Sequence, residues 1–261
     1  VYRDARAAGV GFAACWVGAA AIVGALASRT GATGVAVATF SAVGGTTLGR
    51  VGDRIADVLD RGDLEGARAM LPSLVGRDPS VLDEIGICRA AVESIAENTS
   101  DATVAPLLWG AVLGVPGLLG YRAVNTLDAM IGYRSPRYAR FGWAAARTDD
   151  VANLLPARVT ALLAGILSGH PRQAARAVRR DAHRHPSPNA GVVEAAFAGA
   201  LGISLGGTTV YPHGTEERPV LGAGPAPLAA DLRAAVRLSR RVQIASAVLA
   251  VALAGSRSRR H

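Results

Sequence analysis

Four groups of acids, amides, arginines and histidines in this 261-residue chain have types and spacings that could do chemistry. The first is Glu93-Ser-Ile-Ala-Glu97-Asn98-Thr-Ser-Asp101. Its three acids, spaced i, i+4 and i+8, fall on one face of a helix with Asn98 beside them. The second is Asn125 with Asp128. The third is Arg147, Asp149, Asp150, Asn153 and Arg158. The fourth is Asp181, His183, His185, Ser187 and Asn189, with Glu194 close behind. Asn125/Asp128 and Asp150/Asn153 are i, i+3 pairs, so each pair shares a helix face. Hard oxygen ligands of this kind suit Mg2+, which is usually bound by one or two carboxylates plus substrate phosphates. The arginines supply planar donors for carboxylate and phosphate. His183 and His185 alternate and cannot both face one helical ligand site, and His185 is the candidate for proton transfer. Each group also has a structural reading: helix-end Asp and Asn as caps, Glu93 paired with Arg89, Ser-Pro-Asn as a turn. His213 and His261 have no such company and read as surface residues.

The elements that must position these groups are largely apolar. Straight after Asp101 come twenty uncharged residues, Ala102 to Tyr121, so the acidic run opens into a segment of membrane length. Pro106, Pro116, Gly110 and Gly114 interrupt it, and prolines there free backbone groups that must be satisfied within protein. That predicts a kinked or re-entrant helix facing a cavity. Gly11 to Ser28 and Gly31 to Gly49 are uncharged stretches of eighteen and nineteen residues, which predict a membrane hairpin over 11–49. Residues 50–95 carry both charges with apolar residues at helical spacing and predict a cytosolic helical insert. Asp63 is its expected N-cap, and Pro79 or Ser80 the expected start of the helix bearing Glu93. Residues 96–210 form the expected catalytic core. Ala195 to Val210 dips into the membrane without crossing, Tyr211 to Pro227 reads as a linker, and 242–256 is the last membrane segment. The fold expected is a single all-α polytopic helix bundle with kinked or re-entrant segments.

Composition narrows the function classes. Half the residues are hydrophobic, aromatics are 5%, and the mean hydropathy is +0.28, an Ala, Val, Leu and Gly mixture suited to close helix packing in lipid. All 28 basic residues are arginine, which excludes a P-loop and Schiff-base chemistry, since both need lysine. The net charge of +8 comes with few interleaved aromatics, so an anionic membrane surface or phosphate-bearing substrates fit it better than nucleic acid. The two cysteines, Cys15 and Cys88, have no metal or redox spacing. Arg-rich loops recur between apolar segments, and the positive-inside rule holds for all of them only if a middle segment is re-entrant.

Several runs together resemble one family: Gly76-Arg-Asp, Arg89-Ala-Ala-Val-Glu-Ser-Ile-Ala-Glu-Asn-Thr-Ser-Asp, Ala123-Val-Asn-Thr-Leu-Asp-Ala-Met-Ile-Gly-Tyr, Ala146-Arg-Thr-Asp-Asp-Val-Ala-Asn with Pro156-Ala-Arg, and His185-Pro-Ser-Pro-Asn followed by Glu194-Ala and Gly199-Ala-Leu-Gly. In order and spacing, from about Arg50 to Gly222, the chain is similar to the CobD/CbiB proteins of cobalamin biosynthesis, adenosylcobinamide-phosphate synthases. The resemblance implies a multi-pass protein of the cell membrane, its site facing the cytoplasm. It implies an ATP-dependent ligase joining cobyric acid, through a propionate carboxylate, to (R)-1-aminopropan-2-ol or its O-phosphate. Membrane lipid and other corrinoid-pathway enzymes are the further partners it allows. The family pattern opens with another apolar segment, bearing Gly-Asp-Pro and His-Pro motifs, that is not among these residues.

That chemistry suggests roles by residue type. A carboxylate must be activated before an amine attacks it, which calls for Mg2+ and cationic clamps around phosphate. Glu97, Asp101 and Asp128 are expected at Mg2+, with Asp149 and Asp150 in reserve. Arg147 and Arg158 are expected on phosphate or carboxylate. His185 or Asp181 would take the ammonium proton, Glu93 standing with them and Glu97 in the catalytic set. Asn98, Asn125, Asn153, Ser187 and Asn189 would orient the substrate. A corrinoid transporter or non-catalytic scaffold is the rival reading, because broken apolar helices with polar residues serve transport too.

Overall fold

The computed structural model describes residues 4–132, 137–211 and 214–258. Tyr133, the last residue of the third family-like run, His213 and His261 lie outside the described residues. In chain order the elements are α1 (Arg6–Ser28), α2 (Ala32–Ala42), α3 (Gly45–Asp60), α4 (Leu64–Met70), α5 (Glu84–Thr99), α6 (Ala105–Leu127), α7 (Trp143–Ala152), α8 (Leu154–Ser168), α9 (Pro171–Asp181), α10 (Ala190–Leu201), strands β1 (Ser204–Tyr211) and β2 (Gly214–Gly222), and α11 (Ala229–Ser258). Helix dominates, as an all-α membrane protein requires. Arg6–Ser28, Glu84–Gly132 and Ala229–Ser256 are long and apolar enough to cross a membrane, and α7 with α8 makes a fourth if taken as one broken span. The chain divides into two compact units, one of Val1–Val43, Asp101–Pro156 and Ser246–His261, the other of Gly44–Ser100 and Ala157–Ala245.

In the first unit α1 is apolar on every side, and Trp16, Ile22 and Leu26 are more than half exposed, the pattern of a helix solvated by lipid. Its buried face is made of small residues. A Cβ on Gly24 would lie 2.7 Å from the Pro116 Cα, so only glycine allows that approach of backbones. α6 is not one rod. At Gly114 φ is 70° and ψ is −163°, a conformation essentially reserved to glycine, and Pro116 follows. The helix reverses there. The Tyr121 hydroxyl oxygen lies 3.2 Å from the Asp101 carbonyl oxygen, and a Cβ on Gly117 would lie 2.6 Å from the Trp109 oxygen. A straight helix would hold the first pair about 30 Å apart. The arms, 105–113 and 115–127, are about 14 and 20 Å long, and the first continues the helical path from α5. The break falls where the prolines and glycines of this run predict a kinked or re-entrant helix. Five-residue π turns at Ser100–Val104 and Asp128–Gly132 flank it. The expected second membrane arm, Gly31 to Gly49, is divided instead. α2 has eleven residues, ends at an extended Val43, and packs Ala38 and Ala42 on Val115 and Leu118.

In the second unit α3, α5, α10 and the first part of α11 enclose a conventional core including Ile55, Ile87, Val92, Ile95, Phe197 and Leu232. α3 is amphipathic as its sequence predicts: Gly52, Ile55 and Leu59 are buried, while Asp53 pairs with Arg240 and Asp57 and Asp60 with Arg233. Asp63 caps α4 by accepting from the Gly66 N–H at 2.8 Å. The helix bearing Glu93 starts later than expected. Pro79–Val81 is a separate 3-10 turn, and α5 begins at Glu84, where Asp83 accepts from the Gly86 N–H at 2.7 Å and satisfies an orphan donor. The stretch expected to dip into the membrane and continue as a linker is α10 followed by an antiparallel hairpin. Ser204 pairs with Gly222, and the register shifts between Leu205 and Gly207. α11 is continuous, so the expected last span at 242–256 is the C-terminal part of a longer helix.

Candidate functional site

α5 carries Glu93 and Glu97 four apart on one face, and Asn98 next to them, so three of the residues singled out in the sequence open onto one cleft of about 200 Å3 in the second unit. Arg77 lines it from the loop before α5, Glu194 from α10 and Arg218 from β2. Glu93 is 4% exposed and forms a buried ion pair with Arg77, while its other oxygen accepts from the Gly206 N–H at 2.7 Å. Its predicted partner Arg89 instead donates to the Gly206 and Thr208 carbonyls at 2.8 and 2.9 Å, tying β1 to α5. Asn98 donates to the Ser94 carbonyl at 2.9 Å. Glu97 is the exposed acid at the rim.

Behind the cleft, Glu194 is 3% exposed and His185 places Nε2 4.0 Å from its Oε1. His185 Nδ1 lies 3.1 Å from the Ser187 nitrogen and 3.3 Å from its carbonyl oxygen, so Ser187 serves either tautomer, while Nε2 faces Glu194. That nitrogen is buried and makes no hydrogen bond. Burial, followed by the Glu93 and Glu97 charges, pushes the Glu194 carboxyl well above its usual range, and burial pulls the His185 imidazole down. The cleft therefore joins two guanidiniums with three carboxyls, one of which, Glu194, holds a proton more tightly than an ordinary carboxyl. Such a set can bind a small molecule carrying both an ammonium and an anionic group.

The other expected residues of this unit do local work. Asp181 is buried and holds Arg180 through two hydrogen bonds of 2.8 and 2.7 Å, while accepting from the Gly222 N–H at 2.9 Å. The Arg180 hydrogen bond holds its carboxyl below the usual range, so it is a poor proton acceptor, and it anchors the hairpin instead. Ser187 Oγ accepts from the Asn189 and Ala190 N–H groups at the start of α10. Asn189 Oδ1 accepts from Arg158 at 2.8 Å. None of these four lines the cleft.

The remaining candidates belong to the first unit. Tyr121 Oη donates to Asn153 Oδ1 at 2.8 Å, Asn153 Nδ2 to Asp149 at 3.0 Å, and Arg122 to Asn125 at 3.1 Å, with Asn125 Nδ2 3.5 Å from Asp149. Asn153 thus pairs with Asp149 rather than Asp150, whose partner is Arg147 at 3.3 Å. Asn153 is the C-cap of α7, one residue beyond its end at Ala152. Asp101 departs from the Glu93/Glu97 stack because the π turn at Ser100 adds a residue to the turn and rotates everything beyond it. Asp128 sits in the second π turn, its carboxylate under Gly132. Among the described residues no three His, Cys, Asp or Glu side chains converge as a metal-holding group. The expected set of Glu97, Asp101, Asp128, Asp149 and Asp150 therefore makes no all-protein Mg2+ cage.

Three lining residues were not among the candidates. Arg77 stood inside the Gly76-Arg-Asp run without a role, and Glu194 was noted only beside its cluster. Nothing local signalled Arg218, since its position depends on the hairpin folding back over α5.

The family model described as CobD/Cbib protein matches residues 2–239. The chain is 59% identical, over 97% of its length and 83% of theirs, to the Cobalamin biosynthesis protein CobD of Mycobacterium tuberculosis and of Mycobacterium bovis. It is 49% identical to the protein of that name from Chromobacterium violaceum, over 82% of this chain and 69% of that one. No solved structure matches it.

Proposed function

Since the chain belongs to the CobD/CbiB family, we propose that it serves cobalamin biosynthesis as an amide ligase, joining cobyric acid to (R)-1-aminopropan-2-ol or its O-phosphate to give cobinamide or cobinamide phosphate. The observation that carries this reading is the cleft shared by Arg77, Glu93, Glu97, Asn98, Glu194 and Arg218. About 200 Å3 suits a three-carbon amino alcohol and is far too small for a corrin, so the amine enters and the corrin propionate meets it at the mouth. Glu97 at the rim attracts the ammonium. Glu194, backed by His185, accepts its proton. The freed amine attacks the activated carboxyl carbon, the new C–N bond forms, and the activating group departs with one former carboxylate oxygen. Arg218 and Arg77 offer N–H donors to the phosphate of the amine or to the oxyanion that develops at the carbonyl.

ATP, when bound, supplies the activating phosphoryl group. Mg2+ fits this chain only as a companion of phosphates, because the described residues present no group of three ligands. The three membrane-length helices support a place in the cell membrane, and the arginine-rich loops support a cleft on its cytoplasmic side.

The test gives purified membranes cobyric acid, aminopropanol phosphate, ATP and Mg2+ and follows corrinoid mass. The expected product has gained aminopropanol phosphate less water. Correctly inserted protein that binds corrinoid yet forms no product would favour a scaffold or transporter. Full activity in Glu97→Ala would remove the cleft from the reaction.

A further inference from the structure

Between residues 170 and 184 the chain carries Arg172, Arg176, Arg179, Arg180 and Arg184 against a single acid, Asp181. α9 sorts them. Ala174 and Ala177 are buried, and a Cβ on Gly199 of α10 would lie 2.6 Å from the Gln173 carbonyl, so the small-residue side of α9 is pressed against α10. Arg172, Arg176 and Arg179 stand exposed on the opposite side, spaced i, i+4 and i+7. At about 100° per residue they fall within one stripe about 60° wide and about 10 Å long. Asp181 is buried and taken up by Arg180, and no acidic side chain among the described residues pairs with Arg172, Arg176 or Arg179.

The neighbourhood says what this stripe faces. Two residues separate the end of α8 from the start of α9, and Arg241 of α11 donates to the Leu167 carbonyl at 3.3 Å, adding another exposed guanidinium at that end of α8. Immediately beyond it the surface turns apolar: Leu162, Ile166 and Ile244 are 63%, 54% and 68% exposed. An arginine row on a helix joined by two residues to one with exposed aliphatic side chains fits an element lying where headgroups meet acyl chains. The stripe carries no aromatic side chain on which nucleic-acid bases would stack.

We infer that the Arg172–Arg176–Arg179 face of α9, extended by Arg241, is a docking surface for the phosphate groups of anionic phospholipids. α9 then lies along the membrane interface, its alanine side turned to the protein. The contact is electrostatic, so it weakens as salt shortens the screening length.

The full chain in neutral detergent is titrated with short-chain phosphatidylglycerol, with phosphatidylcholine of the same chain length, and with inorganic phosphate. Phosphatidylglycerol is expected to bind at least tenfold more tightly than either of the others, and more weakly at 0.5 M than at 0.05 M salt. Combined Arg172→Gln, Arg176→Gln and Arg179→Gln raises its Kd at least tenfold and leaves the phosphatidylcholine Kd unchanged. Lysine at the three positions retains binding. Equal charge removal elsewhere, by Arg50→Gln, Arg54→Gln and Arg61→Gln, leaves it at the native value. Inorganic phosphate binding as tightly as phosphatidylglycerol would make the stripe a free-anion site and overturn the lipid assignment. A glutamine variant with native circular dichroism and native phosphatidylglycerol affinity would overturn the surface itself.

Discussion

Glu93 shows how a residue legible in the sequence takes its meaning from a partner that is not. Both its oxygens are engaged, one by Arg77 and one by the Gly206 N–H, and the side chains of the ion pair are 6% and 5% exposed. Removing one member of a buried pair strands the other charge, so Arg77→Ala should lower stability by about 3–5 kcal/mol. Arg77→Met with Glu93→Gln should cost less, because the amide still accepts from Gly206. Thermal unfolding in detergent measures both, and a native transition for Arg77→Ala would refute the pairing. Glu194 carries a pH signature. With its folded pKa raised above the usual 4.5, the folded state holds the proton more tightly than the unfolded chain, so stability falls as pH rises through the folded pKa. Glu194→Gln should flatten that decline. His185 acts at the other end. Its folded pKa lies below the usual 6.5, so its contribution is present above that value and is lost as pH falls through the folded one. Unfolding midpoints of native protein and Glu194→Gln between pH 5 and 9 check the first trend, and parallel curves would sink it.

At the scale of elements, the reversal inside α6 depends on Gly114. A side chain there meets a backbone conformation that non-glycine residues almost never adopt, and Gly114→Ala should cost about 1–3 kcal/mol. Gly24→Leu should also destabilise, since its Cβ would press on the backbone at Val115 and Pro116. Gly18 on the same helix has no neighbour within 4 Å of a Cβ, so Gly18→Ala should be neutral or mildly stabilising. The ranking of the three midpoints is the test, and Gly114→Ala behaving like Gly18→Ala would contradict the reversal. The interruption was foreseeable, because Pro116 and two glycines in an uncharged run announce a break. That the break is a full turn-back was not foreseeable, since the same residues also permit a modest kink. The hairpin of β1 and β2 went unread for the opposite reason. Its sequence is rich in Gly and Pro, and it folds through clamps from Arg89, Glu93 and Asp181 lying far away in the chain.

For the molecule as a whole, three membrane-length helices and broad exposed aliphatic surfaces on α1, α8 and α11 mean that water is the wrong solvent. The protein should stay in the membrane fraction through alkaline carbonate extraction and leave it only with detergent. Recovery in the carbonate supernatant would contradict the membrane fold.

The sequence alone determined the all-α membrane architecture, the amphipathic α3, the Asp63 cap, a break in the middle apolar segment and the family. These rest on hydropathy and periodicity, which are properties of adjacent residues, or on runs of residues read directly. Tertiary structure decided which polar residues share a site. Glu93, Glu97 and Asn98 meet Arg77, Glu194 and Arg218, whereas Asp181, Ser187 and Asn189 are consumed in capping and anchoring. Asp101 leaves the acidic stack through one π turn. A carboxylate's role depends on the charge it faces and the water it has lost, and both are set by contacts between elements distant in the chain.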